Sequence, residues 1–245
     1  MLKLNKDLIS QMRLPANRVI VRTARGENEV FLSDGTKLYL ESVFAKEKHT
    51  PCSGYVVNIC GDLDVSKLTW DTTNEMKVGD YCVFSYEASL YCFIDDDSRI
   101  IKDEDNNLYL ILDYEDFFAV KRDGQILPIN GYLLCSIVEE VENSLIELPK
   151  YLRKRVSDRF ARVEYISTPN KCYYDGTGTK TVREDLSDPQ EVISVGDLII
   201  FSKYCDLPVE YDIHRTLDGS KQLYRMHRCY IKAVVEKNKR EVTTG

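Results

Sequence analysis

Lys77-Val78-Gly79-Asp80-Tyr81-Cys82-Val83-Phe84-Ser85 sets a glycine–aspartate pair directly in front of an apolar run. Val195-Gly196-Asp197 stands the same way before Leu198-Ile199-Ile200-Phe201-Ser202. Glycine supplies a turn conformation that a β-carbon would penalise, and the aspartate carboxylate can satisfy nearby backbone amides. A short apolar run behind such a turn reads as a strand. Two further landmarks recur in the same order and at nearly constant offset. Leu14-Pro15-Ala16-Asn17 precedes Val19-Ile20-Val21, as Leu127-Pro128-Ile129-Asn130 precedes Tyr132-Leu133-Leu134, and Leu108-Tyr109 is matched by Leu223-Tyr224. The offset far exceeds the roughly 20–50 residues of a solenoid unit, so the repeating unit is a small domain. The reading is two tandem domains, 1–125 and 126–245.

Within the first copy the pattern is β almost throughout. Val30-Phe31-Leu32 and Leu38-Tyr39-Leu40 flank Ser33-Asp34-Gly35-Thr36, and Asp-Gly between apolar triplets signals a hairpin. Further strands are expected at 55–60, 81–85, 90–94 and 108–112, with acid-rich turns at 95–97 and 103–107. A short helix is expected within 2–12, with Leu4, Leu8, Ile9 and Met12 on one side. At that length it must dock on something to be stable. Many short strands separated by turns indicate all-β domains built as small barrels.

Composition narrows the function classes. Hydrophobic content of 43% supports packed cores, and sixteen Tyr against one Trp suits strands. A net charge of −7 argues against a nucleic-acid surface, which would concentrate Lys and Arg. The basic stretch from Lys150 to Arg162 reads as a solvated loop face. Eight cysteines without a Cys-x-x-Cys pair leave a zinc site unsupported. Cys60, Cys82, Cys92, Cys135 and Cys205 sit in apolar runs and read as buried free thiols of a reducing compartment. The first residues lack the apolar core of a signal peptide, and no run approaches the ~18 residues of a membrane span. A cytoplasmic protein is expected.

Asn17-Arg18-Val19-Ile20-Val21-Arg22, the segment 77–84 and Leu110-Ile111-Leu112-Asp113-Tyr114-Glu115-Asp116-Phe117-Phe118-Ala119-Val120 resemble the GroES-like co-chaperonin family. The likeness covers most of residues 14–122. In the second copy it rests on Val195-Gly196-Asp197 and the segment 223–235, with 131–135 and 161–166 in the places of the first and second strands. The resemblance implies two tandem GroES-like β-barrels, a homo-oligomer, and a chaperonin ring as partner in protein folding. It also implies a long loop between the first two strands that carries an apolar chaperonin-docking segment. Here that loop is 23–53, and Gly35, Leu38, Tyr39 and Leu40 occupy the matching place. A mobile anchor loses entropy on docking, so each site is weak and ring multivalency restores affinity. The family's paired glycines are reduced to Gly35, and Tyr39 stands where a small or branched residue is usual. The alternative for Leu38 to Leu40 is an ordered hairpin strand.

The second copy's loop, 138–159, is acidic and then apolar around Leu145-Ile146 and Tyr151-Leu152. It reads as packed, with a helical turn after Pro149. The insertion 170–190 contains Asp175-Gly176-Thr177-Gly178-Thr179-Lys180, which misses phosphate-loop spacing and reads as a hairpin tip. His49, His214 and His227 have no serine or cysteine motif beside them, and there is no nucleophile elbow or dinucleotide fingerprint. A non-enzymatic protein without cofactor, metal, nucleic acid or membrane is expected. The competing class is a phage or host assembly protein that uses GroES-like barrels for oligomerisation without chaperonin docking.

Overall fold

The computed structural model describes residues 2–23, 29–31, 37–39, 50–68, 72–138, 160–167, 173–174, 181–182, 193–202, 207–209 and 222–235. The chain packs as two compact units, residues 1–66 with 73–125 and residues 67–72 with 126–245. The fold is all-β, with two short α-helices among the described residues. No helix among them is long and apolar enough to cross a membrane.

The first unit starts with β1 (Leu2–Lys3), α1 (Lys6–Gln11), β2 (Arg18–Thr23), β3 (Glu29–Phe31), β4 (Lys37–Tyr39), β5 (Ser53–Ile59) and β6 (Tyr81–Phe84). Then come α2 (Tyr86–Ile94), β7 (Ile100–Lys102), β8 (Leu108–Asp113), β9 (Phe117–Arg122) and β10 (Gln125–Pro128); all of β10 but Gln125 falls in the second unit. Eight of these strands join one sheet in the order β1-β7-β8-β2-β5-β6-β9-β10, while β3 and β4 form a two-stranded sheet of their own. The later strands are β11 (Tyr132–Ile137), β12 (Phe160–Ile166), β13 (Tyr173–Tyr174), β14 (Thr181–Val182) and β15 (Leu198–Phe201). They end with β16 (Leu207–Pro208), β17 (Tyr224–His227) and β18 (Ile231–Val235). Six of them pair as β16-β17-β11-β12-β15-β18, and β13 pairs with β14 inside the insertion expected to end in a hairpin tip. Among the described residues neither large sheet closes on itself.

The two sheets share an inner order. β8-β2-β5-β6-β9 in one corresponds to β17-β11-β12-β15-β18 in the other. The register irregularities correspond as well. The β2–β5 pairing shifts between Ile20 and Val21, and the β11–β12 pairing between Leu134 and Cys135. The β6–β9 pairing shifts between Val83 and Phe84, and the β15–β18 pairing between Ile200 and Phe201.

The glycine–aspartate turns match bond for bond. Gly79 has φ +94° and Gly196 φ +93°, a region that favours glycine. Gly79 N–H donates to Val56 O at 2.8 Å, and Gly196 N–H to Val163 O at 2.8 Å. Asp80 Oδ2 accepts from Lys77 N–H at 2.8 Å, and Asp197 Oδ2 from Ser194 N–H at 2.8 Å. In the first unit Arg122 also clamps the aspartate. Its Nε donates to Asp80 Oδ1 at 2.8 Å, its Nη2 to Asp80 Oδ2 at 2.6 Å, and Nη2 also reaches Glu75 O.

The helix α1 is where the pattern placed it, capped by Asn5, whose side chain accepts from Asp7 N–H. Ile9 enters a core with Ile20, Ile101 and Tyr109. Asn58 Nδ2 donates to Ile9 O and Met12 O, satisfying carbonyls that the short helix leaves open. Leu8, expected on the same face, is exposed. Leu90 to Ile94, expected as a strand, is the C-terminal part of α2; Ser85 caps the helix and Glu87 sits in its first turn. The segment Asp123-Gly124-Gln125-Ile126, at the boundary between the two units, contains a hairpin turn. Asp123 and Gly124 have φ +52° and +79°, the signature of a primed turn, and join β9 to β10.

Candidate functional site

Between β2 and β5 the chain leaves the large sheet and returns to it, and the foot of this excursion is held by specific contacts. Thr23, the last residue of β2, donates its hydroxyl to Ser53 O at 2.6 Å, which fastens the two ends of the excursion. Gly54 lies just inside. A β-carbon there would sit 2.4 Å from Arg22 O, so only glycine permits the strands to approach this closely. Tyr81 Oη donates to Ser53 Oγ at 2.8 Å. The Tyr81 ring packs edge-on against Tyr55 with centroids 5.3 Å apart, and the Arg22 guanidinium lies 5.8 Å from the Tyr55 ring centroid. Tyr55 is 49% exposed, so the foot presents an aromatic surface to solvent beside a cation.

Beyond the foot, β3 and β4 pair antiparallel with Glu29 opposite Tyr39, Val30 opposite Leu38 and Phe31 opposite Lys37. Of the proposed docking residues, Leu38 and Tyr39 lie in β4, while Gly35 and Leu40 lie outside the described residues. The backbone at Leu38 and Tyr39 is a strand paired with β3 in a two-stranded sheet separate from the large one. A two-stranded hairpin outside a larger sheet has little stability of its own and gains it on packing against something else. The second copy's loop, around Leu145-Ile146 and Tyr151-Leu152, also lies outside the described residues.

The acid-rich turns expected at 95–97 and 103–107 are occupied by their own hydrogen bonds. Asp103 is buried and accepts from Asp105 N–H, Asn107 N–H, Asn107 Nδ2 and Tyr109 Oη. Burial opposes its charge, but the donors hold the carboxyl below the usual range. Asp113 joins Arg18 at 2.6 Å and Arg99 at 3.1 Å, and Arg99 also reaches Asp96. No cluster of His, Cys, Asp and Glu suited to a metal ion occurs among the described residues.

Four cysteines expected to be buried are so: Cys60, Cys82, Cys92 and Cys135. Burial pushes the Cys92 thiol up to about 11, and the Cys82 and Cys135 thiols up as well. Cys205, His49 and His214 lie outside the described residues. His227 is buried and caps a 3₁₀ turn. Its Nδ1 lies 3.0 Å from Cys229 Sγ. The spacing is only two residues and falls in a turn, so no catalytic motif signals it in the sequence.

No protein-family model matches the chain, and no curated protein is significantly similar to it.

Proposed function

We propose that this chain is a co-chaperonin-like protein built from two GroES-like barrels, which docks on a chaperonin ring through the segment between β2 and β5. The observation that carries the reading is the placement of the β3–β4 hairpin. It is inserted between two neighbouring strands of the large sheet, yet it belongs to neither of the large sheets. That is where the resemblance puts the docking loop, and the Thr23–Ser53 bond with Gly54 holds its two ends together. The shared inner strand order and the paired turns at Gly79 and Gly196 support a duplicated unit. Barrel closure, homo-oligomerisation and a cytoplasmic setting belong to the same proposal.

Size-exclusion chromatography with a GroEL-like chaperonin and ATP tests it. The full chain is expected to co-elute with the ring, and a Leu38→Ser, Leu40→Ser double variant is expected to lose co-elution. Absence of binding by the unaltered chain overturns the proposal. The second reading, an assembly protein without chaperonin docking, is favoured by the regular pairing of Val30 with Leu38. It predicts an assembly that forms without a chaperonin and survives the double variant.

A further inference from the structure

The second unit repeats a turn of the first with different chemistry. In the first unit Asp113 caps the 3₁₀ turn Tyr114–Asp116 between β8 and β9. In the second, His227 caps Arg228–Tyr230 between β17 and β18, its ring accepting from Cys229 N–H. In the tautomer that accepts there, the ring proton sits on Nε2 and Nδ1 is bare. Cys229 Sγ lies 3.0 Å from that same bare nitrogen, within reach for its thiol to donate. The ring is held in place on two sides. Tyr132 packs edge-on with centroids 5.2 Å away, and Tyr230 lies 6.4 Å away. His227 is 3% exposed. Cys229 differs from every other described cysteine: Cys52, Cys60, Cys82, Cys92 and Cys135 are buried, whereas Cys229 is partly exposed.

We propose that Cys229 is a nucleophilic thiol activated by His227 and that it takes small-molecule disulfides as its substrates. The Cys229 proton moves to His227 Nδ1, and the sulfur attacks one sulfur of the disulfide. The disulfide bond breaks, the leaving thiolate takes the proton back from His227, and a mixed disulfide remains on Cys229. One thiol is oxidised, half of the small disulfide is reduced to a free thiol, and no other oxidant enters. A neighbouring imidazole raises the thiolate fraction, and exchange rate follows thiolate fraction and access together. The buried cysteines lack access, and burial works against the charge of Cys82, Cys92 and Cys135.

The test exposes the full-length protein briefly to oxidised glutathione at neutral pH, followed by peptide mass spectrometry. Cys229 should form the mixed disulfide about tenfold faster than the five buried cysteines, and faster in the native protein than in urea. The native-to-urea comparison separates activation by the fold from simple exposure. His227→Asn keeps a side-chain oxygen to accept from Cys229 N–H but removes the base, so it should slow Cys229 by about tenfold. Other cysteines should be unchanged, and a retained melting curve shows that the cap survives. Native Cys229 reacting no faster than in urea overturns the proposal even if the variant fails to fold. A folded His227→Asn protein with an unaltered Cys229 rate overturns it as well.

Discussion

Asp80 and Arg122 show how much one turn depends on one partner. The Asp80 side chain is 4% exposed, and its carboxylate is held by two Arg122 nitrogens and by Lys77 N–H. Removing one member of a buried pair leaves the other charge uncompensated. Arg122→Ala is expected to lower stability by about 3 kcal/mol in urea denaturation, with most of the loss in the first unit. Asp116 makes a second prediction, about pH. Burial, followed by the neighbouring Asp113 charge, pushes its carboxyl up to about 6, against the bond from Asp113 N–H and the attraction of Arg99. A carboxyl raised in the folded state binds its proton more tightly there than in the unfolded chain. Its stabilising contribution is therefore fully present below the unfolded value near 4 and is lost as pH rises through 6. Asp116→Asn keeps the oxygen that accepts from Asp113 N–H but cannot ionise. It should match the unaltered protein near pH 4 and exceed it by about 1–2 kcal/mol at pH 8, with partial exposure of the carboxyl limiting the gain. Equal denaturation midpoints of the two proteins at both pH values would sink the assignment.

At the scale of elements, the β3–β4 hairpin separates docking from structure. It pairs only with itself among the described strands, so its amides should exchange faster than those of β2 and β5, whose pairings lie inside the large sheet. Adding chaperonin should slow exchange over 29–31 and 37–39. Leu38→Ser is expected to leave the unfolding free energy within about 0.5 kcal/mol, as for a substitution outside the core. A loss of about 1–3 kcal/mol would instead mark Leu38 as a buried core side chain and count against docking. The inner strands that follow glycine–aspartate turns or form apolar runs, such as β2, β5, β6, β8, β11, β12 and β15, were legible because those signals are local. The misreading of 90–94 has an equally local cause. Leu90-Tyr91-Cys92-Phe93-Ile94 is a short continuous apolar run, for which periodicity cannot separate strand from helix. Burial of Ser89 and Cys92, three apart, with Tyr91 and Ile94 exposed, is the helical pattern the run concealed. The cap at Ser85 was the signal available. The parallel pairing of β1 with β7, Leu2 opposite Ile101, was not available at all, because no local pattern specifies a partner so far along the chain. The contact of His227 with Cys229 was hidden for a different reason: it arises from a 3₁₀ turn, and the spacing alone belongs to no motif.

For the whole molecule, symmetry limits how the chains can assemble. The chain holds two compact units, and the resemblance reads each as one barrel of a family whose rings contain seven. Closed assemblies are built from whole chains. Seven is odd, so chains that each contribute two barrels cannot fill a single seven-barrel ring without leaving half a chain over. Two outcomes keep the chains whole, the second with a ring that departs from seven barrels. Either one unit of each chain forms the ring and the other is displaced into a second tier, giving seven chains, or both units enter one ring with an even number of barrels. Native mass spectrometry of the full chain distinguishes them by counting chains directly: seven chains support the two-tier arrangement, and three or four support the even ring. The two differ again on docking. A two-tier assembly presents seven copies of the β3–β4 segment or none, whereas an even ring presents three or four, and multivalent affinity rises with that number. A stable monomer at micromolar concentration would remove the multivalency on which weak docking depends, and would count against the co-chaperonin reading in either form.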